Sequence, residues 1–340
     1  MDVLSDVLRV VRLSGAVFFC AECSSPWALQ SPHPEALASA VIPDAECLVL
    51  FHIFVEGELC HVDCAGHPAT TVEPGDVIVF PHGHPHTMRS HDNAPPTPFN
   101  TVFQRAEADD VPQVTFGGGG RSSRFFCGIL SCDQRFSPLI EALPTILLVR
   151  SGGDYSTIDA VNADGCRHAV VPQGSRNWLA TTLKFVIDEA RTGRPGNAAI
   201  LGRLTELMFV EILREYMQHL PATQGGWLAG LKDAHVGRAL RLLHANPDRD
   251  WTVDELAREV AVSRSVLAQR FSELVGETPM RYLTNWRMQL AKQMMREGAR
   301  NIQEVATRVG YDSEAAFNRA FKRATGSPPA TWRKGALSAT

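Results

Sequence analysis

The sequence predicts an α+β protein, with a β-rich N-terminal part followed by an all-helical C-terminal part. Between Ala16 and about Leu130, short runs rich in Val, Ile, Phe and Thr are separated by Gly, Pro and Asp, a pattern typical of a sandwich or small barrel. From Trp178 onward the apolar residues recur with helical spacing, and near the C-terminus one helical segment occurs twice. The 340 residues leave room for two domains with substantial cores.

In chain order, residues 1–14 predict a short amphipathic helix that ends at Gly15. The predicted strands are AVFFCAEC, ECLVLFHIFVEG, ELCHVDCAG, ATTVEPGDVIVF, HTMRSH, NTVFQ (100–104) and RFFCGILSC. We expect Ser137–Arg150 to be helical or extended and Ser151–Ser175 to be irregular.

Two helices are predicted next, at 179–192 and 198–220. The second carries a broad apolar stripe with one interruption, at Glu211, and the stripe consists of Ile200, Leu204, Leu207, Met208 and Leu213. Such a stripe either packs on its own domain or pairs two copies of the chain.

The repeated segment lies at Thr252–Phe271 and again at Asn301–Phe321. The shared apolar positions are Leu256, Ala257, Val260, Leu267 and Phe271 in the first copy and Val305, Ala306, Val309, Phe317 and Phe321 in the second. A repeat of this kind indicates two copies of one supersecondary unit. A long helix predicted at 279–297 joins them.

Each copy predicts a helix, a tight turn and a second helix. The expected N-terminal caps are Thr252 (with Glu255), Asn301 (with Glu304), Ser263 and Ser313. Helix, turn, helix is the unit whose second helix enters the major groove of DNA. Two such units in register therefore favour DNA binding over a repeat that serves packing alone.

The formal net charge of −4 hides a difference between the two parts of the chain. Residues 231–340 carry 18 Lys and Arg against 12 Asp and Glu, a net charge of +6 that leaves −10 for the rest. A basic segment attached to an acidic one suits a DNA-binding module joined to a sensing module.

Composition also bears on the compartment. No stretch approaches the roughly 20 apolar residues that span a membrane, and the run Ala16–Ala21 is too short for a signal peptide. We therefore expect a cytoplasmic protein with no membrane partner. Its eight cysteines are then expected to be buried, metal-bound or redox-active rather than paired in a disulfide framework.

The C-terminal third resembles the AraC-type DNA-binding domain. The matching stretches are TVDELAREVAVSRSVLAQRFSELVGETPMRYL, WRMQLAKQMM and VATRVGYDSEAAFNRAFKRATGSPPATWR. The resemblance implies a transcription regulator that is not an enzyme, with double-stranded DNA and RNA polymerase as partners. It also implies a homodimer and an effector, which the sequence does not identify.

In the N-terminal part, PGDVIVFPHGHPH resembles the second cupin motif, and with FHIFVEGEL it indicates the cupin-type sensor domain of a subset of AraC-type regulators. The expected architecture is an N-terminal cupin-like β-barrel with flanking helices, then an all-α domain with two helix-turn-helix units joined by a long helix. The expected domains are a sensor at 1–175, a helical dimerisation and linker segment at 176–226, and the DNA-binding domain at 227–340.

The candidate base-reading residues lie near the start of each second helix and point away from its core. They are Arg264, Ser265, Ala268 and Gln269 in the first unit and Glu314, Ala315, Asn318 and Arg319 in the second. Gln269 can bond an adenine edge, Arg319 a guanine edge, and Glu314 can accept from cytosine. The candidate phosphate contacts are Arg270, Arg287, Lys292, Lys322 and Arg333.

The sensor candidates are Cys20, Cys23, His52, His86 and Cys127. Metal-binding cupins take two histidines from their first motif, but this chain has Phe54 where the second would fall. His86 matches the histidine of the second motif and is expected to face His52 across the barrel. Three interpretations stay open, namely residues of the core, a thiol redox switch, or a metal ion held by His52 and His86.

Two rival functions follow from the same residues. A metal-dependent cupin enzyme with an appended helical domain needs a complete ligand set with an open coordination position, and Phe54 argues against it. A chromosome protein without sequence preference is disfavoured by the polar residues at the starts of the recognition helices.

Overall fold

The computed structural model describes residues 2–11, 13–41, 47–91, 93–102, 112–132, 138–152, 155–162, 165–170, 176–192, 194–220, 226–299 and 301–338. The chain forms two compact units. The barrel unit consists of Leu13–Phe136 and Leu143–Leu220, and the helical unit consists of Met1–Arg12, Ser137–Ala142 and Pro221–Thr340. The segment 221–225, within the expected linker, lies outside the described residues.

The strands belong to the barrel unit. They are β1 (Leu13–Ser24), β2 (Ala28–Gln30), β3 (Cys47–Glu56), β4 (Cys60–Cys64), β5 (Thr70–Val72), β6 (Val77–Phe80), β7 (His86–Arg89), β8 (Thr97–Pro98), β9 (Gln113–Gly117), β10 (Ser122–Cys132), β11 (Ile146–Gly152), β12 (Tyr155–Asn162) and β13 (Gly165–Val170).

The helices are α1 (Val3–Val11), α2 (Pro34–Val41), α3 (Phe99–Val102), α4 (Pro138–Glu141), α5 (Arg176–Thr192), α6 (Asn197–His219), α7 (Trp227–Lys232), α8 (Ala234–Ala245), α9 (Val253–Glu259), α10 (Arg264–Val275), α11 (Pro279–Arg296), α12 (Ile302–Arg308), α13 (Glu314–Thr325) and α14 (Pro329–Ser338).

Two sheets enclose the core of the barrel unit, as the pattern of short strands predicted. The larger sheet has the order β13-β12-β11-β6-β3-β10-β1-β9, and the smaller has the order β5-β4-β7-β2-β8. Phe54, Phe80 and Phe125 from the larger sheet pack in one cluster with Val62 and Met88 from the smaller. The architecture is therefore α+β, a cupin-like barrel in one unit and helices alone in the other.

Two predictions in the barrel unit were wrong. Residues 99–102 form helix α3 rather than the strand predicted at 100–104, and Thr101 Oγ1 donates to Pro98 O at 2.6 Å. The segment 151–175, expected to be irregular, contains strands β12 and β13. Inside β12 the buried Asp159 pairs with Arg150 of β11, whose Nε lies 2.9 Å from Asp159 Oδ2.

Helix α6 packs on α5 and on strands β1, β12 and β13 of its own unit. Its predicted apolar stripe divides between two faces. Met208 and Leu213 are buried, whereas Ile200 and Leu207 are 47% and 53% exposed.

The helical unit contains the predicted repeat. Helices α9 and α10 form the first copy, α12 and α13 the second, and α11 is the long helix between them. Helix α1, amphipathic as its sequence predicted, packs on α8 and α11 of this unit and buries Val3, Leu4, Val7 and Val10.

Candidate nucleic-acid interface and barrel cavity

The local sequence of each repeat explains its helix boundaries. Thr252 and Glu255 form the predicted capping box of α9, and the Asn301 side chain accepts from the first turn of α12. Ser263 caps α10 by accepting from Val266 N, and Ser313 caps α13 by accepting from Ala316 N. The caps satisfy backbone donors that would otherwise be unpaired at the helix starts.

Each first helix ends in a left-handed turn of the Schellman type. Val262 N donates to Ala257 O in the first copy, and Tyr311 N donates to Ala306 O in the second. The residue with positive φ is Ala261 (φ 58°) in the first copy and Gly310 (φ 81°) in the second. The two copies therefore share one backbone motif, although one carries a side chain at the left-handed position.

The candidate base-reading residues lie on the surface of α10 and α13. Leu267, Phe271, Phe317 and Phe321 are buried, which turns the opposite faces outward. Six of the eight candidates are exposed and two, Ala268 and Asn318, are half-buried; the exposed ones are Arg264, Ser265, Gln269, Glu314, Ala315 and Arg319.

Sequence reasoning missed two residues on this face of α10. Val266 is 47% exposed in the first turn of the helix, and an apolar side chain there can contact a thymine methyl group. Glu273 accepts a 2.8 Å hydrogen bond from Gln269 Nε2 and so orients the amide of a candidate base reader. The helical spacing from Leu267 could have indicated Val266, because position i−1 to an inward residue lies off the core face.

The candidate phosphate contacts differ in their surroundings. Lys322 is exposed, whereas Lys292 Nζ lies 5.9 Å from the centroid of the Trp332 ring. Arg333 Nη1 donates to Ala299 O at 3.4 Å, and Arg270 Nε donates to Asp233 Oδ2 at 2.7 Å.

Arg287 is occupied inside the helical unit. Its guanidinium donates to three backbone carbonyl oxygens, those of Pro247 (2.6 Å), Arg249 (2.8 Å) and Gly310 (3.1 Å). The first two precede the first helix-turn-helix copy, and Gly310 is in the turn of the second. We call this contact the Arg287 junction. The structure gives Arg287 a role in holding the two copies together; its contact with phosphate stays a prediction.

In the barrel unit the predicted facing of His52 and His86 is observed. His52 lies on β3 of the larger sheet and His86 on β7 of the smaller, and their Nε2 atoms are 2.8 Å apart. His52 Nδ1 lies 2.9 Å from the Cys127 Sγ, because Cys127 is the direct partner of His52 in the β10–β3 pairing. His86 Nδ1 lies 2.8 Å from the His84 carbonyl oxygen.

The positions of the protons along this series of hydrogen bonds follow from its last acceptor, the His84 carbonyl oxygen. A carbonyl oxygen can only accept, so His86 Nδ1 carries a proton and its neutral ring accepts at Nε2. His52 Nε2 then donates to His86, and Cys127 Sγ donates to His52 Nδ1. Burial lowers the pKa of His86 to about 4, and burial with the neighbouring His86 lowers the pKa of His52 well below its ordinary value. We call Cys127, His52, His86 and the His84 carbonyl the buried relay.

The residues present do not fit a metal centre. Zinc with two imidazole ligands in tetrahedral geometry would hold their nitrogens about 3.3 Å apart. The Nε2 atoms of His52 and His86 are instead 2.8 Å apart and hydrogen-bonded to each other. Phe54 stacks on Phe125 at a centroid distance of 4.4 Å, in the interior where a further ligand would be needed. Within the described ranges, no group of three or more His, Cys, Asp or Glu side chains is arranged to hold a metal ion.

The cysteines of the CxxC spacing lie on one strand, β1. Residues three apart on a strand point to opposite faces, and Cys23 but not Cys20 belongs to the core cluster between the sheets. Burial raises the pKa of the thiols of Cys23 and Cys127 well above the ordinary value and that of Cys60 to about 12. Protonated thiols are poor nucleophiles.

A cavity adjoins the buried relay. It is partly open, and the described residues that line it are Phe19, Leu29, Ser31, Leu37, Leu50, His52, His86, Met88, Phe99 and Ile129. Most of these side chains are apolar, and the two histidines form one part of the wall. A mostly apolar lining with a few polar groups is typical of a small-molecule site.

Comparison with known proteins identifies the family. Residues 2–163 and 167–218 match the family model described as Cupin, and residues 256–335 match the model described as Helix-turn-helix domain. An AraC-like transcription regulator of Streptomyces lividans is 33% identical over 336 residues, which are 98% of this chain and 98% of that protein. The chain belongs to the AraC-type transcription regulators.

This AraC-type regulator is similar to others over almost its whole length. The transcriptional regulator AlkR of Acinetobacter baylyi is 28% identical, with 98% of this chain and 99% of AlkR covered. The RCS-specific transcriptional activator RclR of Escherichia coli is 25% identical, with 98% of each chain covered. The protein is therefore a DNA-binding transcription regulator and not an enzyme.

The surface that binds DNA belongs to the AraC-type helical unit, where the matched residues 256–335 include α10 and α13. Among the residues that the structure describes, no helix combines the length and apolar character required to cross a membrane.

Proposed function

We propose that this AraC-type regulator binds a small effector in the cavity of its barrel unit and that binding changes its affinity for promoter DNA. The cavity beside His52 and His86 carries the proposal, because these residues come from opposite sheets. A ligand that fills the cavity contacts both sheets and can favour one arrangement of the barrel over another. A ligand that binds one conformation of the protein more tightly than another shifts the protein toward that conformation.

The proposed reading of DNA uses both recognition helices of one chain. Gln269 on α10 reads adenine, and on α13 Arg319 reads guanine and Glu314 accepts from cytosine. To these we add Val266 as a contact to a thymine methyl group. The two helices enter successive major grooves about 34 Å apart, so the site of one chain is asymmetric.

We also propose that the regulator acts in the cytoplasm as a homodimer that contacts RNA polymerase. Phe185 on α5 is 63% exposed, and Ile200 and Leu207, seven residues apart on α6, share an exposed face. Exposed apolar residues on adjoining helices suit a second copy of the same chain. Leu207→Glu should shift sedimentation toward the monomer, whereas Leu59→Glu, the same change at a 40% exposed leucine outside α5 and α6, should not. An unchanged dimer in Leu207→Glu would remove this face from the interface.

Oxidant sensing is the second candidate, favoured by the contact of the Cys127 thiol with His52 and by the likeness to an RCS-specific activator. The high pKa of the buried thiols opposes it, since oxidants react with thiolates. Promoter binding measured before and after peroxide or hypochlorite distinguishes the two candidates. A change that thiol reverses and that Cys127→Ser abolishes would favour the oxidant.

The effector proposal is tested by the affinity of the full chain for DNA upstream of its own gene, measured by fluorescence anisotropy with and without octanol. We expect octanol to change the affinity of the wild type but not of Ile129→Phe, which fills the cavity. Val149→Ile, a similar enlargement away from the cavity, is the control. Octanol that binds in the cavity without changing promoter affinity would contradict the regulatory role.

A further inference from the structure

The walls of the cavity offer few polar groups. Of the ten described residues that line it, seven are apolar, and the polar ones are Ser31, His52 and His86. Among the described residues that line it there is no Asp, Glu, Lys or Arg. Leu37 of α2 and Phe99 of α3 complete the apolar wall and are themselves buried. A charged group that lost its hydration against these described residues would meet no counter-ion among them.

The two histidines do not supply the missing polarity, because the buried relay uses both nitrogens of each ring. His86 is bonded at Nδ1 to the His84 carbonyl and at Nε2 to His52. His52 is bonded at Nε2 to His86 and at Nδ1 to Cys127. A ligand could bond either ring only by breaking a contact of 2.8 or 2.9 Å, which would leave a buried polar group unpaired.

The relay also prevents either ring from becoming a cation. A proton added to His86 Nε2 or to His52 Nδ1 would replace an acceptor with a second donor and break the chain of donors and acceptors. The ring of His86 stacks on Phe80 with centroids 3.7 Å apart and is 4% exposed, so water does not compensate. The lowered pKa of each histidine agrees with this geometry.

We propose that the effector is an uncharged and largely apolar small molecule, with at most one hydrogen-bonding group, which Ser31 receives. This inference rests on the proposed function only in taking the cavity as the effector site. Carboxylates, ammonium compounds and sugars are excluded from the cavity, since each brings charge or several hydrogen-bonding groups that the wall cannot satisfy.

The test compares ligands of one shape that differ in charge. Octanol, methyl octanoate, octanoate and octylammonium are titrated into the full-length protein at pH 7.5 by isothermal calorimetry. We expect octanol and methyl octanoate to bind at least about tenfold more tightly than octanoate or octylammonium, because the charged heads lose their hydration. Ile129→Phe should remove binding of the neutral ligands, and Val149→Ile should retain it.

A second variant covers the case in which Ile129→Phe fails to fold. Ser31→Ala should weaken both octanol and methyl octanoate, since the Ser31 hydroxyl can accept from the alcohol and donate to the ester carbonyl. If octanoate or octylammonium binds as tightly as octanol, the inference of an uncharged effector is overturned, whereas the proposed effector site in the cavity is not. Absence of binding by all four overturns it too. Tight binding of octanol with unchanged promoter affinity contradicts the proposed function alone.

Discussion

Gly310→Ala tests whether the second helix-turn-helix turn is held by its neighbours as closely as the structure indicates. Gly310 has φ 81°, and a Cβ there would lie 2.6 Å from Asp248 O and 2.7 Å from Arg287 Nη2. A left-handed conformation costs a non-glycine residue about 1 kcal/mol. Overlap with packed neighbours adds roughly 1–3 kcal/mol, so Gly310→Ala should lower the free energy of unfolding by about 2–4 kcal/mol.

Two other positions in the helical unit, Gly326 and Ala261, separate the cost of steric overlap from the cost of the left-handed backbone. Gly326 has φ 80°, and a Cβ there would meet nothing within 4 Å, so Gly326→Ala should cost about 1 kcal/mol or less. Ala261 occupies the position equivalent to Gly310 in the first copy with φ 58°. The motif therefore accepts a side chain where no neighbour crowds it, and the difference between the two glycine variants measures the crowding.

The assay is urea unfolding of the full chain, monitored through tryptophan fluorescence. This signal reports on the helical unit, which contains Trp227, Trp251, Trp286 and Trp332. Binding to a promoter site is measured in parallel, and Gly310→Ala should weaken it more than Gly326→Ala, since the Arg287 junction sets the spacing of the two copies. Equal losses of stability in the two variants would refute the reasoning.

Three further predictions address the other contacts. Arg287→Met should destabilise the helical unit by roughly 3 kcal/mol in urea unfolding, because three carbonyls lose a charged donor; a loss below that of Gly326→Ala would contradict it. Gln269→Ala and Arg319→Ala should each cost about 1–3 kcal/mol of promoter binding at fixed salt and relax specificity at one base pair, whereas uniform weakening across sequences would indicate phosphate contacts. Between pH 6.5 and about 4 the unfolded chain binds a proton at His86 that the folded chain excludes. The free energy of unfolding should therefore decrease as the pH is lowered, by on the order of 1.4 kcal/mol per pH unit for this group. A His86→Phe chain with the same slope would rule that residue out.

The helical unit was predictable because its determinants are local. The caps at Ser263 and Ser313 and the apolar positions that face inward follow from residues a few places apart in the chain. The Arg287 junction was not predictable, since its partners at Pro247 and Gly310 are far from Arg287 in sequence and accept through backbone carbonyls, which no residue type reveals.

The barrel unit was predictable in outline and not in register. The facing of His52 and His86 followed from a resemblance to cupin motifs, whereas the contact of His52 with Cys127 depends on how β3 pairs with β10. Strand β12 depends on the same kind of contact, because its buried Asp159 pairs with Arg150 of the neighbouring strand β11, which the sequence alone does not reveal.

Helix α1 has a consequence for the order in which the protein can fold during synthesis. Its apolar face is buried on α8 and α11 of the helical unit, so α1 leaves the ribosome long before the surface that covers it. The helical unit also takes α4 from the middle of the chain, where it contacts α7. A single proteolytic cut therefore cannot release the helical unit whole, and a fragment that begins at α7 would expose to solvent the apolar surface that α1 covers.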